Sequence, residues 1–381
     1  MLISVERVRG KEMVNFNNNY DELAMPGDWI PIVQKLQSQD GTVIVLGKSD
    51  SGKTSLIKLL TYFLVKRNRN IGIIDLDIGQ STLGLPATIA ISTVDKKKLK
   101  DGNIPIEHML FIGMISPAGC IDRFLDRICK LYSISQKKKI DTLIVDTTGL
   151  VMGSIGIYLK SSLINRINPA ALVALQSAQE LEPILSQFES RPSLQIYRIK
   201  PCQNIVQRSW RDRKLRREKQ FCHYFRDSRT REVDFTTTTI RDFNFGLSFC
   251  SDNDIVDTIK QKFALEPVYA EKIQNTVVLI LQEPQSFPGK DIFINIKKHL
   301  QVEQVISILP HWFQYFLISF NTTDGFSNGL GIIKNIDFEK KKITIYMPGS
   351  ISAENFSEIE LGQVRVKPDG TELPYNEPVK F

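Results

Sequence analysis

The sequence predicts an α/β fold, a mostly parallel sheet with helices on both faces, followed by a small C-terminal mainly-β domain. Three observations carry this. Residues 42–54, TVIVLGKSDSGKT, run from a β-branched apolar strand through a glycine-bounded turn into an amphipathic helix, SLIKLLTYFLVKR. Further apolar runs end in carboxylates and alternate with helical patterns, which is the order of a parallel sheet. From about residue 251 the texture changes to short strand-like runs separated by Gly, Pro, Asn and Asp. The expected division is an N-terminal segment 1–40, an α/β core 41–250 and a β-rich domain 251–381.

Composition narrows the classes. A chain of 381 residues is long for a single core, and 42% hydrophobic with 24% charged residues is ordinary for a globular protein. No apolar run approaches the roughly 18 residues that a membrane span requires, and the N-terminus, MLISVERVRGKE, lacks a signal-peptide core. A cytoplasmic protein with no membrane partner is the expectation. The cysteines Cys120, Cys129, Cys202, Cys222 and Cys250 form no C-x-x-C pair and read as reduced packing residues. His108, His223, His299 and His311 are scattered, which argues against a histidine metal site. A net charge of +7 is compatible with an anionic partner and names none.

Along the chain, PGDWIPIVQKLQS reads as a turn entering a short helix whose Trp29 and Ile30 pack on the domain behind, a segment suited to flank a nucleotide base. Gly47 to Thr54 then match G-x-x-x-x-G-K-[ST] between strand and helix, the context the motif requires. Gly47 and Gly52 let successive N–H groups point inward at phosphate oxygens, and the helix starting near Lys53 adds its positive end. Gly47, Lys48, Ser49, Asp50, Ser51, Gly52, Lys53, Thr54 and Ser55 are therefore the expected nucleotide-binding residues. Lys53 can reach the β- and γ-phosphates, and the Thr54 hydroxyl can ligand Mg²⁺. This makes the core a P-loop NTPase domain that binds a nucleoside triphosphate.

A second buried strand in IGIIDLDIGQST ends with Asp75 and Asp77, at the sheet edge where ligands sit. A carboxylate there can hold a Mg²⁺ water or take a proton from an attacking hydroxyl; the plainer alternative is that one of them caps the following turn. DKKKLKDG (95–102) reads as a solvated loop, and HMLFIGMISPAG (108–119) as a third apolar run. A helix, CIDRFLDRICKLYSIS, leads to DTLIVDTTG, a fourth strand closing on Asp146-Thr147-Thr148-Gly149. Asp146 is placed as the Mg²⁺-side partner of the P-loop, and the Thr-Thr-Gly turn as a phosphate contact. A helix near 156–167, the strand AALVALQ, a helix around LEPILSQF and the strand LQIYRIK continue the alternation.

NIVQRSWRDRKLRREKQFCHYFRDSRTRE (204–232) is predicted as a helix, with a lid element over about 204–226. It carries Arg208, Arg211, Arg213, Lys214, Arg216, Arg217 and Lys219, with Arg213 and Arg217 on one face at the i, i+4 spacing. A block of cations is most often a solvated face. Arginines so outnumber lysines here that phosphate contact is attractive, since the guanidinium fork matches phosphate oxygens. Such a helix can close over ATP or lie along a nucleic-acid backbone. In the β domain, the aromatics of HWFQYF (311–316) are read as core packing ahead of base stacking, and no catalytic constellation stands out.

Taken together the motifs resemble the family of polynucleotide 5′-hydroxyl kinases, which includes the RNA kinase of the pre-mRNA cleavage machinery, ribosomal-RNA-processing relatives and shorter archaeal and bacterial forms. The matching blocks are the P-loop with an internal acid, Asp50 in GKSDSGKT; DLDIGQ, similar to D-x-D-x-G-Q; FIGMISP, similar to F-x-G-x-x-S-P; and DTTGLVMG, which resembles a clasp T-x-G-W. The Arg-rich helix ending Tyr224-Phe225 resembles a lid module. The resemblance covers about residues 25–250. It implies an ATP- and Mg²⁺-dependent kinase acting on the 5′-hydroxyl end of RNA, with DNA as a further acceptor, and it names no protein partner. It implies Asp77 as the base, Gln80 on the metal or acceptor side, Thr147 and Gly149 as the clasp, and Arg213 and Arg217 as lid arginines, with Arg208, Arg211 and Arg216 competing. Two positions depart from the pattern: Leu150 stands where a Trp is expected and Met152 at a basic position, so base stacking and a phosphate contact are weaker or supplied elsewhere. The competing expectations are a catalytically silent ATP-bound scaffold of an RNA-processing complex, and a switch GTPase or metabolite kinase. Against the last, no N-K-x-D follows the fourth strand.

Overall fold

The computed structural model describes residues 5–8, 11–15, 29–201, 207–242, 244–282, 289–351 and 356–381, the first two stretches by backbone path alone. Most of the polar N-terminal stretch, Cys202 and residues 204–206 of the basic segment lie outside the described residues. The chain divides into two units, Met1–Gln220 and Phe221–Phe381. The division falls inside the basic helix, earlier than the change of texture near residue 251.

The first unit begins with strands β1 (Val5–Val8) and β2 (Lys11–Asn15) and helix α1 (Ile30–Leu36). There follow β3 (Gly41–Gly47), α2 (Lys53–Lys66), β4 (Ile71–Asp75), β5 (Thr88–Val94), α3 (Lys96–Asp101), β6 (Asn103–Pro105) and β7 (His108–Phe111). The rest is α4 (Ile121–Ser135), β8 (Thr142–Asp146), α5 (Gly153–Ile167), β9 (Ala171–Leu175), α6 (Glu182–Leu185), β10 (Gln195–Ile199) and the start of α7 (Trp210–Phe225). The main sheet has the order β10-β9-β3-β8-β4-β5-β7. Its first five strands are parallel; β5, a strand absent from the sequence-based expectation, runs against them, and the third apolar run forms the edge strand β7, paired antiparallel to β5 and so aligned with the first five.

The strands form where buried β-branched residues run consecutively. In β3, Val43, Ile44, Val45 and Leu46 are all buried, as a two-faced strand requires. Helices α1 and α2 cover one face: Val33, Leu36, Leu56, Leu60 and Leu64 share a core with Val43, Val45, Ile144 and Val173. Each such side chain contributes roughly 1.5–3 kcal/mol on leaving water. Trp29 joins this core as expected, its Nε1 donating to the Lys200 carbonyl at 3.0 Å, whereas Ile30 faces outward and Ile32 packs instead. The charged 95–102 segment is a helix rather than a loop: Asp95 caps α3 by accepting the Lys98 N–H at 2.8 Å. Lys96, Lys97 and Lys100 form a solvated face, whereas Lys98 turns inward and donates to Thr93 and Glu107.

In the second unit the basic segment leaves its helix at Phe225 and continues as strand β11 (Ser228–Asp234), so the predicted helix over 204–232 is too long. The unit goes on through β12 (Thr239–Asp242), α8 (Asn253–Phe263), β13 (Pro267–Ile273), β14 (Thr276–Leu281), α9 (Lys290–His299) and β15 (Gln304–Ile308). It ends with β16 (Phe316–Asn321), β17 (Ser327–Asp337), β18 (Lys342–Pro348), β19 (Glu358–Val366), β20 (Glu372–Leu373) and β21 (Val379–Lys380). One sheet, β11-β18-β17-β16-β19-β12, is antiparallel except at β12–β19. The other, β13-β14-β15-β21, contains a parallel β14–β15 pair joined through α9. The unit is thus mainly β, with two helices against the smaller sheet. Trp312, Phe313 and Phe316 lie in a core with Tyr269, Phe249 and Phe338, so HWFQYF packs rather than stacks on a ligand. No helix among the described residues is long and apolar enough to cross a membrane.

Candidate active site

The C-terminal ends of β3, β4 and β8 lie side by side. Register pairs Val45 with Asp146 and Asp146 with Asp75, which brings the P-loop and two carboxylates to one sheet edge. Gly52 caps α2 at φ +94°, a conformation that a side chain would strain. Lys53 is buried, and its ammonium donates to the Gly47 and Lys48 carbonyls at 3.0 and 2.8 Å. The Lys48 ammonium lies 3.6 Å from Glu180.

Thr54 Oγ1 donates to Asp146 Oδ2 at 2.8 Å, while Asp146 Oδ1 is buried with no hydrogen-bond partner. Burial, with the Asp75 and Asp77 carboxylates nearby, pushes Asp146 from 3.8 up to about 7, against the pull of Lys53 and Thr54. A small cavity beside the pair, about 10 Å³, is lined by Thr54, Lys58, Thr82 and Asp146 together with the apolar Ile57, Ile73 and Leu83. It has room for about one water-sized species. Hard oxygen donors with an orphan carboxylate oxygen fit a Mg²⁺ completed by phosphate oxygens and water.

The two carboxylates of DLD have different surroundings. Asp75 is fully buried: Oδ2 accepts from the Thr82 and Leu83 N–H groups at 2.6 and 2.9 Å and from the Ser81 and Thr82 hydroxyls, and Oδ1 accepts from the Asp77 N–H. It holds the 77–83 loop chiefly through Oδ2, which takes four of its five hydrogen bonds, while Oδ1 accepts only the Asp77 N–H. Burial pushes its pKa up, and the loop N–H groups oppose that. Asp77 is half-buried; Oδ1 accepts from the Gly79 and Gln80 N–H groups at 3.2 and 3.0 Å, an Asx turn that leaves Oδ2 outside it. Both acids therefore shape the loop, and Asp77 keeps an oxygen for chemistry. Gln80 Nε2 donates to the Gly79 and Arg213 carbonyls at 2.7 and 3.1 Å, and its Oε1 is buried without a partner.

In the turn after β8, Thr147 points inward, its hydroxyl donating to the Val45 carbonyl at 2.7 Å, which braces the turn against β3. Gly149 is the residue against the P-loop: a Cβ there would lie 2.2 Å from Ser49 Oγ and 2.5 Å from the Ser49 nitrogen. Thr148 is held from below by Lys160, whose ammonium donates to the Thr148 carbonyl and hydroxyl at 2.8 and 2.9 Å. Lys160 is fully buried on α5; burial first, then Lys53, lowers it from 10.5 to about 7, with Asp77 and Asp146 opposing. Leu150 is half-buried and Met152 exposed.

The start of α7 reaches the P-loop. Arg213 Nη2 donates to Asp50 Oδ2 at 2.9 Å, and Arg208 Nη1 lies 3.6 Å from Asp50 Oδ1. Arg216 is partly buried; burial and the nearby Arg208 lower its pKa, while Asp77, Asp75 and Asp50 pull it back. Arg217 is buried, and Arg211 is exposed. Sequence reasoning missed Lys160 and Lys58. Lys58 sits one helical turn beyond Thr54, and burial first, then Arg216, lowers it from 10.5 to about 8. The signal for Lys160 was its place in the apolar stripe Gly156-Lys160-Leu163-Ile167, where a lysine has no solvent to reach.

Strand, phosphate loop, helix and a carboxylate on the adjacent strand define a P-loop nucleotide-binding protein. Residues 47–227 match the family described as the mRNA cleavage and polyadenylation factor CLP1 P-loop. A polyribonucleotide 5′-hydroxyl-kinase of Pyrococcus furiosus is 28% identical over 336 residues, 87% of this chain and 89% of the relative. One from Methanocaldococcus jannaschii is 29% identical over 340 residues, covering 87% and 88%. In fold, the chain is similar to Clp1p as solved in complex with Pcf11p, with TM-score 0.58 at 14% identity over 88% of this chain and 77% of that one. Along most of its length the chain is thus similar to archaeal polyribonucleotide 5′-hydroxyl-kinases.

Proposed function

We propose that this chain transfers the γ-phosphate of ATP to the 5′-hydroxyl end of RNA, and of DNA to an extent that matched oligonucleotides will decide. The observation that carries this is the convergence, at one sheet edge, of the P-loop, the Thr54–Asp146 pair, the Asp77 carboxylate and the arginines of α7. Archaeal relatives named polyribonucleotide 5′-hydroxyl-kinases along most of the chain support the acceptor.

Phosphoryl transfer asks the protein for positioning and charge more than for covalent chemistry. The P-loop N–H groups and Lys53 cradle the β- and γ-phosphates, which requires Lys53 to leave the Gly47 and Lys48 carbonyls. Thr54 and Asp146 would hold Mg²⁺, which neutralises developing charge on the phosphate oxygens when bound. Asp77, anchored through Oδ1, offers Oδ2 to the proton of the attacking hydroxyl. Arg213 and Arg216 bring positive charge to the transferring group, and Gly149 lets the clasp turn lie against Ser49.

The test is label transfer from γ-labelled ATP to RNA and DNA of one sequence, each with a 5′-hydroxyl or a 5′-phosphate end, with and without Mg²⁺. Label only on 5′-hydroxyl ends and only with Mg²⁺ supports the proposal. ATP binding without label on any acceptor points to the scaffold instead.

A further inference from the structure

Asp50 has no role in the steps above, and its position is costly on its face. A carboxylate at the tip of an anion cradle repels the ligand that the cradle is built to hold. The residue stands at φ +57°, a left-handed conformation open to Gly, Asn and Asp, so the turn itself does not call for the charge. Its side chain is nine-tenths buried and engaged by Arg213 of α7 and by Arg208 just before that helix. Oδ2 accepts from Arg213 Nη2 at 2.9 Å and from the Arg208 backbone N–H at 3.1 Å, while Arg208 Nη1 approaches Oδ1 at 3.6 Å. Arg213 Nη2 also donates to the Arg208 carbonyl at 3.1 Å, which closes a ring around the carboxylate.

The same helical turn is held at a second point, where Gln80 Nε2 donates to the Arg213 carbonyl at 3.1 Å. It is finished by a capping box: the Ser209 N–H and hydroxyl donate to Asp212 Oδ2 at 2.9 and 2.6 Å, and the Asp212 N–H returns to Ser209 Oγ at 3.1 Å. Arg213 Nε remains buried without an acceptor, so the guanidinium has a donor to spare. The first turn of α7 is therefore fixed to two separate loops of the nucleotide site by polar contacts, and one of the two anchors is an acid inside the P-loop.

We propose that Asp50 is a positioning residue: it docks Arg213 and the first turn of α7 onto the phosphate loop, and the docked arginine in turn screens its charge from the nucleotide. The kinase reading supplies what the arginines do; the pairing stands without it. Two consequences differ in sign. Neutralising Asp50 frees the lid and slows transfer, yet removes a repulsion and so does not weaken ATP binding. Removing Arg213 exposes the Asp50 charge to the triphosphate and weakens ATP binding. Once Asp50 is neutral, removing Arg213 should weaken binding far less.

The test is a double-mutant cycle on the full chain with Asp50→Asn, Arg213→Met and the pair, with ATP affinity read by calorimetry and transfer by single-turnover labelling. Asp50→Gly, which keeps the left-handed turn, serves as a second neutral variant. Expected are ATP affinity at or above wild type in both Asp50 variants with transfer at least tenfold slower. Arg213→Met should lose about tenfold in ATP affinity, and the double variant should recover most of it. Additive effects, or weaker ATP binding in both Asp50 variants, would overturn the proposal. If the wild-type chain labels no acceptor, the kinase reading fails, while the affinity cycle still decides whether Asp50 and Arg213 work as a pair.

Discussion

Replacing Lys160 by Met should change stability by an amount that depends on pH, with a sign set by the lysine's surroundings. Met copies the length of the side chain and removes both donors to Thr148, which sit at 2.8 and 2.9 Å. That leaves a buried carbonyl and hydroxyl unpaired, at roughly 1–3 kcal/mol each. The native lysine carries an opposing penalty, because burial and Lys53 hold its pKa at about 7 against an ordinary 10.5. At about 1.4 kcal/mol per tenfold, that penalty is ~5 kcal/mol below pH 7 and ~2 kcal/mol at pH 9. The folded pKa is depressed, so folding releases a proton between pH 7 and 10.5 and wild-type stability rises with pH across that window. The Met variant lacks this rise. Urea unfolding of both chains in metal-free buffer at pH 7, 8 and 9 should show the variant falling behind wild type by about 2 kcal/mol between the ends of the range. A constant difference across that range would refute the buried-cation argument.

Other perturbations have equally definite outcomes. Gly149→Ala puts a Cβ 2.2 Å from Ser49 Oγ, so the clasp turn must retreat from the P-loop; transfer should fall tenfold or more with little change in the unfolding midpoint. Asp146→Asn should move half-maximal activity to at least tenfold higher Mg²⁺ in a rate titration, because the anionic partner of Thr54 is gone. Glu107→Gln should flatten acid unfolding. Burial alone would raise Glu107, but hydrogen bonds from Lys138, Thr93 and Lys98 bring it down from 4.5 to about 2. That stability is present above pH 4.5 and is lost as pH falls toward 2. Screening at this partly exposed group trims the loss to roughly 1–2 kcal/mol in a pH series of melts.

The P-loop was legible because its chemistry is local: glycine spacing, a buried strand before it and a helix after it meet the backbone requirements of phosphate binding within a dozen residues. The carboxylate-terminated strands were legible for the same reason. The roles of those carboxylates were not, because they depend on contacts distant in sequence or hidden by folding. Asp75 is claimed by N–H groups at Thr82 and Leu83, after the loop has turned back on itself. Thr147 is turned inward by the carbonyl of Val45, more than a hundred residues earlier. Strand direction at β5 and β7 is set by pairing, to which an apolar run is blind. The basic segment reads as one helix by charge, yet Phe221, Tyr224 and Phe225 in its last turns are buried and belong to the second unit. In that second unit, α8 and α9 escaped notice beside the stronger strand pattern.

The most direct measurement compares Asp77→Asn with wild type and Lys53→Ala, reading ATP affinity and label transfer to a 5′-hydroxyl RNA side by side. Asn retains the Oδ1 that accepts the Gly79 and Gln80 N–H groups, so the loop should keep its shape. ATP binding should stay near wild type while transfer falls by about 10²–10⁴, the usual contribution of a positioned general base. Lys53→Ala should lose both. Transfer at the wild-type rate without the Asp77 carboxylate, or ATP binding lost along with transfer, would contradict the assignment of Asp77 as the base of a 5′-hydroxyl kinase.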